Sequence, residues 1–138
     1  MNPVTPNPSN PPKTQQMSTQ QMSEPKAEAR RLPHPTRLEI RLEGVLHALA
    51  DPVRLQVVRE LAARPDELAC SFFELPVSKS TTTYHFRVLR ESGVIRQTYH
   101  GTAKMNSLRE DDLEALFPGL LGCVLTADAR QGRHHPEG

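Results

Sequence analysis

Apolar residues recur with helical spacing from residue 36 onward and are nearly absent before it. After Pro35, Leu38, Leu42, Val45, Leu46 and Leu49 follow i, i+4, i+7, i+8, i+11, one stripe of a 3.6-residue helix. Thr36 and Glu39 have the spacing of a capping box, so the pattern predicts a first helix from about Thr36 to Ala50. Asp51-Pro52 is a second start signal, because Asp caps free N–H groups and Pro at the first helical position loses no needed hydrogen bond. That helix runs to about Ala63, and Leu55, Val57, Val58, Leu61 and Ala62 surround much of its circumference, as suits a central helix packed on several sides. Pro65-Asp66 opens a third short helix through about Leu75, with Leu68, Phe72 and Leu75 pointing one way and Pro76 as its stop.

The stretch from Ser78 to Gly93 carries the most information. Gly93 is a natural C-terminal stop for a helix whose inward face is Thr82, Phe86 and Leu89. Its opposite face carries Ser80, Thr83, Tyr84 and Arg87 at i, i+3, i+4, i+7, with Lys79 in the first turn. A stripe of hydroxyls, a phenol and cations can donate hydrogen bonds to phosphates and base edges; taken alone, it fits an ordinary solvated surface equally well. Val94 to Tyr99 and Thr102 to Ser107, around His100-Gly101, read as a β-hairpin. Helices ending in a polar-faced one and followed by a hairpin predict a mainly α fold with a β-hairpin wing, the winged helix-turn-helix.

Ser107 and Glu110 have capping-box spacing and start a closing helix. Leu113, Leu116, Phe117, Leu120 and Val124 continue its stripe across Pro118, where a kink or restart is expected. First and last helices thus both carry long apolar faces, more than one small core needs. The surplus predicts a homodimer through Leu38, Leu42, Val45, Leu116, Leu120 and Val124; the alternative is that both helices close their own core.

Composition bounds this picture. Eight of the thirteen prolines fall in the first 35 residues, a Pro/Gln/Ser/Asn-rich stretch that cannot build a core, with Arg30 and Arg31 where it joins the rest. The organisation expected is a disordered tail over 1–35, a DNA-binding and dimerisation domain over 36–129 and a second disordered tail over 130–138. With 138 residues and no Gly-rich phosphate loop, metal-ligand motif or nucleophile elbow, the chain does not read as an enzyme, and no cofactor is expected. The near-neutral total of +1 hides a basic region, since Ser78 to Ser107 holds Lys79, Arg87, Arg90, Arg96 and Lys104 against Glu91 alone, a local charge of +4. No apolar run approaches the roughly 18 residues that span a bilayer, and no signal peptide precedes the domain, so a cytoplasmic protein without membrane contact is expected.

Ala48-Leu-Ala-Asp-Pro-Val-Arg-Leu-Gln-Val-Val, Ser78-Lys-Ser-Thr, Tyr84-His-Phe-Arg-Val-Leu-Arg-Glu-Ser-Gly93 and the hairpin after them together resemble the ArsR family of bacterial winged-helix repressors, over about Leu46 to Leu125. The resemblance implies a dimer built by the first and last helices, with the helix from Ser78 in the major groove of double-stranded operator DNA and the hairpin against flanking backbone. DNA contacts are accordingly expected from Lys79, Ser80, Thr81, Thr83, Tyr84 and Arg87 on the helix and from Arg96, His100 and Lys104 on the hairpin. It also implies repression relieved by a small-molecule inducer or an oxidant.

The family's metal sites do not transfer. Metal-responsive members resembling this chain carry Cys-x-Cys before the recognition helix, where Glu67-Leu-Ala-Cys70-Ser71 offers one thiol, and soft metals want two or three thiolates. The Asp-x-His pair of the last helix is also missing, since Asp111 is followed at that spacing by Leu113 and Asp112 by Glu114. His134-His135 would be a weak pair in a tail, and no metal is expected. Cys70 and Cys123 are free thiols by default, with a thiol-based redox response as the alternative; Leu120, Leu121 and Val124 predict an apolar, unreactive setting for Cys123. A winged helix used only for protein contacts is the remaining alternative, but it would present an apolar or acidic outer face.

Overall fold

Ile40 breaks the first predicted helix in two. In this computed structural model, which describes residues 31–134 and side chains to residue 132, the chain makes a 3-10 turn at Arg37–Glu39. It passes through Ile40 in extended conformation and restarts as helix α1, Leu42–Leu49. Burial explains the interruption: Ile40 enters the core and lies over Gly93, where an added Cβ would stand 2.5 Å from Ile40 Cγ1. Gly93 also has a φ of +90°, so both its backbone and its missing side chain are needed there. Residues 1–30 and 135–138, with Arg30 and His135, lie outside the described residues.

Helix α2, Pro52–Ala62, matches its prediction, and Asp51 Oδ1 accepts the N–H groups of Val53 and Arg54 at 2.8 and 3.1 Å. Val57, Val58 and Leu61 on α2 are buried together with Val45, Ala48 and Leu49 of α1. The third helix expected over Pro65 to Leu75 does not form. Leu68–Ala69 is instead a short strand, β1, followed by a 3-10 turn at Cys70–Phe72. The spacing of Leu68, Phe72 and Leu75 suggested one helical face, yet the buried ring is Phe73 while Phe72 is exposed. Pairing with the hairpin overrides the helical spacing, because Leu68 sits opposite Asn106 and the Asn106 side chain donates to the Leu68 carbonyl at 3.0 Å.

Helix α3, Lys79–Glu91, begins where expected, with Ser78 Oγ accepting the Thr81 N–H at 3.2 Å. Strands β2, Ile95–His100, and β3, Ala103–Leu108, form the hairpin, with Gly101 at a φ of +65° in its turn. The wing is a three-stranded antiparallel sheet in the order β1-β3-β2 rather than a lone hairpin.

The closing region differs from expectation at its start and its end. Ser107 does not cap a helix; it lies in β3 opposite Arg96, and helix α4, Glu110–Leu116, starts from Arg109. After Phe117-Pro118 the chain restarts, with Gly119 at a φ of +81°, as helix α5, Leu120–His134. The restart at Pro118 was expected, whereas the helix was expected to end near Ala129. Leu116, Phe117, Leu120, Leu121, Val124 and Leu125 pack, partly buried, against the core, and Arg59 on α2 meets Asp128 on α5 at 2.7 Å.

Contacts with the domain also begin before residue 36. His34 Nε2 accepts the Gln97 N–H at 3.0 Å, the Pro35 carbonyl accepts from Arg109 Nη1 at 2.8 Å, and Asp112 bridges Arg37 and Arg109 at 2.7 and 2.9 Å. This segment covers the outer edge of β2, an edge that would otherwise be open to pairing. Among the described residues, no helix is long and apolar enough to cross a membrane.

Candidate nucleic-acid interface

Helix α3 divides into a used face and an open one. Phe86, Leu89, His85 and Arg90 are buried, while Lys79, Ser80, Thr83, Tyr84 and Arg87 are exposed. Thr81 is half-buried and its hydroxyl accepts from Ser78 Oγ at 3.0 Å, so it belongs to the helix start more than to the outer stripe. Thr83 Oγ donates back to the Lys79 carbonyl at 3.1 Å, which leaves its lone pairs outward. The Arg87 guanidinium stands 5.6 Å from the Tyr84 ring centre, a cation–π distance that holds the cation over the outer face. Among the described residues no ion pair engages Lys79, Arg87, Arg96 or Lys104.

The wing carries the other expected contacts. Arg96 is exposed on β2, and Lys104 on β3 is half-buried, with its Nζ 5.7 Å from the Tyr99 ring centre. His100 is exposed and lies 3.6 Å from Glu67 Oε1, so its ring already faces a carboxylate. Arg90, counted with the basic residues from the sequence, is not on the surface. Its Nη1 donates to Gln97 Oε1 at 2.7 Å, and its Nε has no partner among the described residues. The exposed basic set is therefore Lys79, Arg87 and Arg96 with part of Lys104.

Two buried polar networks, which periodicity alone does not reveal, set the pose of α3. In the first, Arg54 on α2 donates to the Ala48 carbonyl at 2.8 Å and the His47 carbonyl at 3.1 Å, and its Nη1 lies 3.0 Å from His85 Nδ1 on α3. A guanidinium can only donate, so Nδ1 is the acceptor and the His85 proton sits on Nε2, which faces Asp51 at 4.0 Å. One side chain thus ties the end of α1, α2 and α3 together. In the second network Arg90 reaches Gln97, whose Nε2 donates to Asn106 Oδ1 at 2.8 Å, and the amide groups of Gln97 and Asn106 point at Cys70 Sγ at 3.8 and 3.2 Å. This network pins α3 to the wing. The readable signal was Gln97 in phase with Ile95, a polar residue at an inward register of the strand.

The expected dimer residues separate into three groups. Leu38 is 91% and Leu42 44% exposed, and Leu46, which was not among the expected dimer residues, is 45% exposed beside them. Val45 is a core residue at 1% exposure, so the one stripe read from the sequence has an inner and an outer edge. Leu116, Leu120 and Val124 are half-buried against their own core. Cys123 is exposed on α5, contrary to the apolar setting expected for it, and Cys70 is half-buried. Among the described residues no group of three or more His, Cys, Asp or Glu side chains is placed to hold a metal ion.

Residues 49–98 match the model of a helix-turn-helix domain. The chain is 35% identical over 79 residues to the uncharacterized HTH-type transcriptional regulator YceK of Bacillus subtilis (strain 168), covering 56% of this chain and 79% of that protein. It is 29% identical over 83 residues to the arsenical resistance operon repressor of the same organism, covering 59% of this chain and 79% of the repressor. Among solved structures, an ArsR-like transcriptional regulator from Rhodococcus sp. RHA1 is 21% identical with a TM-score of 0.48, covering 70% of this chain and 92% of that one.

Proposed function

The chain belongs to the helix-turn-helix transcriptional regulators, and we propose that it is a winged-helix repressor of the ArsR type that binds operator DNA as a homodimer and represses transcription until an inducer releases it. The observation that carries this reading is the outer face of α3, where Ser80, Thr83, Tyr84 and Arg87 are exposed together and the Arg87 cation engages no carboxylate among the described residues. Arg87 suits bidentate contact with guanine, and Lys79 at the helix start suits phosphate. Arg96 and Lys104 extend the basic surface onto the wing. A winged helix serving only protein contacts would not need this combination of exposed hydroxyls and cations.

Dimer formation is proposed through Leu38, Leu42 and Leu46, supported by their exposure, with the outward side of α5 completing the interface. Two half-sites related by two-fold symmetry follow from such a dimer. Enrichment of duplexes from a fragmented genome tests the reading. A two-fold symmetric site is expected, bound far more tightly than random DNA, and sedimentation should show a dimer that Leu46→Glu dissociates. Retention of only sequence-independent, salt-sensitive binding would overturn it.

A further inference from the structure

A groove of about 650 Å³ lies between the N-terminal half of α3, the 3-10 turn at Cys70–Phe72 and the tip of the wing. We propose that this groove is an effector site for a small amphipathic organic anion, an acidic headgroup on an apolar body, and that its occupancy excludes DNA. The inference deepens the regulatory reading above and rests on it for the second half of the claim.

Size and chemistry point the same way. The volume falls within the roughly 300 to 1,000 Å³ of small-molecule sites. Leu75, Val77 and Ala103 give it an apolar wall, backed by the buried rings of Phe73 and Phe86, whose centres lie 5.4 Å apart. DNA phosphates have no use for an apolar wall, so the groove offers more than a backbone cradle. Lys79 from α3 and Lys104 from the wing line it as cations, against one carboxylate, Glu74, and the Thr82 hydroxyl can donate a hydrogen bond, whereas the Thr83 proton is committed to the Lys79 carbonyl. An anion is therefore favoured over a cation, and the apolar wall favours a body of several carbons over a bare ion.

Position gives the consequence. Lys79 and Thr83 line the groove and also stand on the face proposed to meet DNA, and Lys104 holds the same double place on the wing. A ligand that engages both ammonium groups withdraws them from phosphate, so ligand and DNA must weaken each other equally.

Titration of the full chain with sodium octanoate, octanamide and inorganic phosphate, followed by amide NMR, tests the site. Octanoate should shift the amides of Thr82, Thr83, Ala103 and Lys104 saturably, with octanamide and phosphate each roughly tenfold weaker or more, as loss of a charged hydrogen bond or of the apolar contact requires. Lys104→Ala should weaken octanoate several-fold. Ala103→Trp, placed at an exposed wing position that lines the groove, should abolish its binding while the remaining spectrum stays folded. Shifts that are absent, unsaturable, centred on Leu42 and Leu46, matched by octanamide or phosphate, or unchanged in both variants overturn the site. Fluorescence anisotropy of an enriched duplex then tests exclusion: octanoate should release the DNA, and simultaneous binding without mutual weakening overturns that half of the claim. A chain that takes octanoate in the groove but enriches no duplex would sink the DNA-binding reading, and the exclusion claim with it, while leaving the ligand site standing.

Discussion

Arg87 and Arg90 sit less than one turn apart on α3 and serve opposite faces of it. Arg87 is exposed, near the Tyr84 ring and without a carboxylate partner among the described residues, whereas Arg90 is buried and spends its charge on the Gln97 amide. The outer face leaves the Arg87 guanidinium open to solvent. The inner face uses its polar groups to fix where the outer one points, since His85 answers to Arg54 and Arg90 to the wing. Helical phase, more than membership of a basic run, decides which cation is available to a phosphate. Damage to the inner face should appear as lost stability with DNA binding following it, and damage to the outer face as lost binding alone.

The largest effect is expected from Arg54→Ala. Its removal strands the Ala48 carbonyl and the Nδ1 of His85 and takes one of two donors from the His47 carbonyl, at roughly 3 to 5 kcal/mol in total. A domain of this size should then melt more than about 10 °C lower in calorimetry. A melting temperature near that of the parent would break the claim that this network sets the pose of α3. Gly93→Ala follows, because its φ of +90° is strained for an L residue and its Cβ would collide with Ile40, a loss of about 2 kcal/mol or more. Gly101→Ala is the matched control: φ is +65° but nothing lies within 4 Å, so only the backbone contribution of about 1 kcal/mol should be seen. Equal losses at the two glycines would show that Ile40 simply moves aside.

These inner contacts are where the sequence was hardest to read. The outer stripe of α3, the cap at Asp51 and the hairpin turn were legible because each rests on local spacing or local backbone chemistry. The pieces that failed depend on partners far along the chain. Leu68 becomes a strand only because Asn106 is there to pair with it, and Ile40 leaves the helix only because Gly93 lets it into the core. Ser107 had the spacing of a cap but is claimed by strand pairing with Arg96. Arg54 and Arg90 look like surface cations in any local window, and only tertiary placement turns them into core donors. For the site, the outer residues of α3 are exposed as the spacing predicted, while Thr81, His100 and Val45 each have a partner or a burial that spacing does not encode.

On the outer face, Arg87→Ala should leave the melting temperature unchanged and cost roughly 1 to 3 kcal/mol in specific operator affinity, about ten- to a hundredfold in a gel-shift titration. Lys79→Ala should separate from it. A phosphate contact weakens all duplexes alike and lowers the salt slope by about 1, whereas loss of a base contact relaxes sequence preference at one position. If Arg87→Ala binds its operator as tightly as the parent, the open face of α3 is not the reading surface.

The smallest effect is expected from acid, and it should act on the scaffold alone. Hydrogen bonds from Arg37 and then Arg109 hold the Asp112 carboxyl below the usual range. At Asp51 burial pushes upward, but the N–H groups of Arg54 and Val53 outweigh it, and the net shift is also downward. A carboxyl with a depressed folded pKa stabilises the protein fully above its unfolded value of about 3.9 and loses that contribution as pH falls through the folded value. Melting temperature should therefore be level in these contributions down to about pH 4 and fall below it. Asp112→Asn and Asp51→Asn should each start lower at neutral pH, by about 1 kcal/mol at most for the partly exposed Asp112 pairs, and then decline less steeply. No carboxylate contributes to the open stripe of Ser80, Thr83, Tyr84 and Arg87, so the same variants should keep the sequence preference of the parent at neutral pH. An acid slope as steep as the parent's in both variants would place the acid-sensitive carboxylates elsewhere, and an altered sequence preference would show that the inner and outer faces of α3 are not separable.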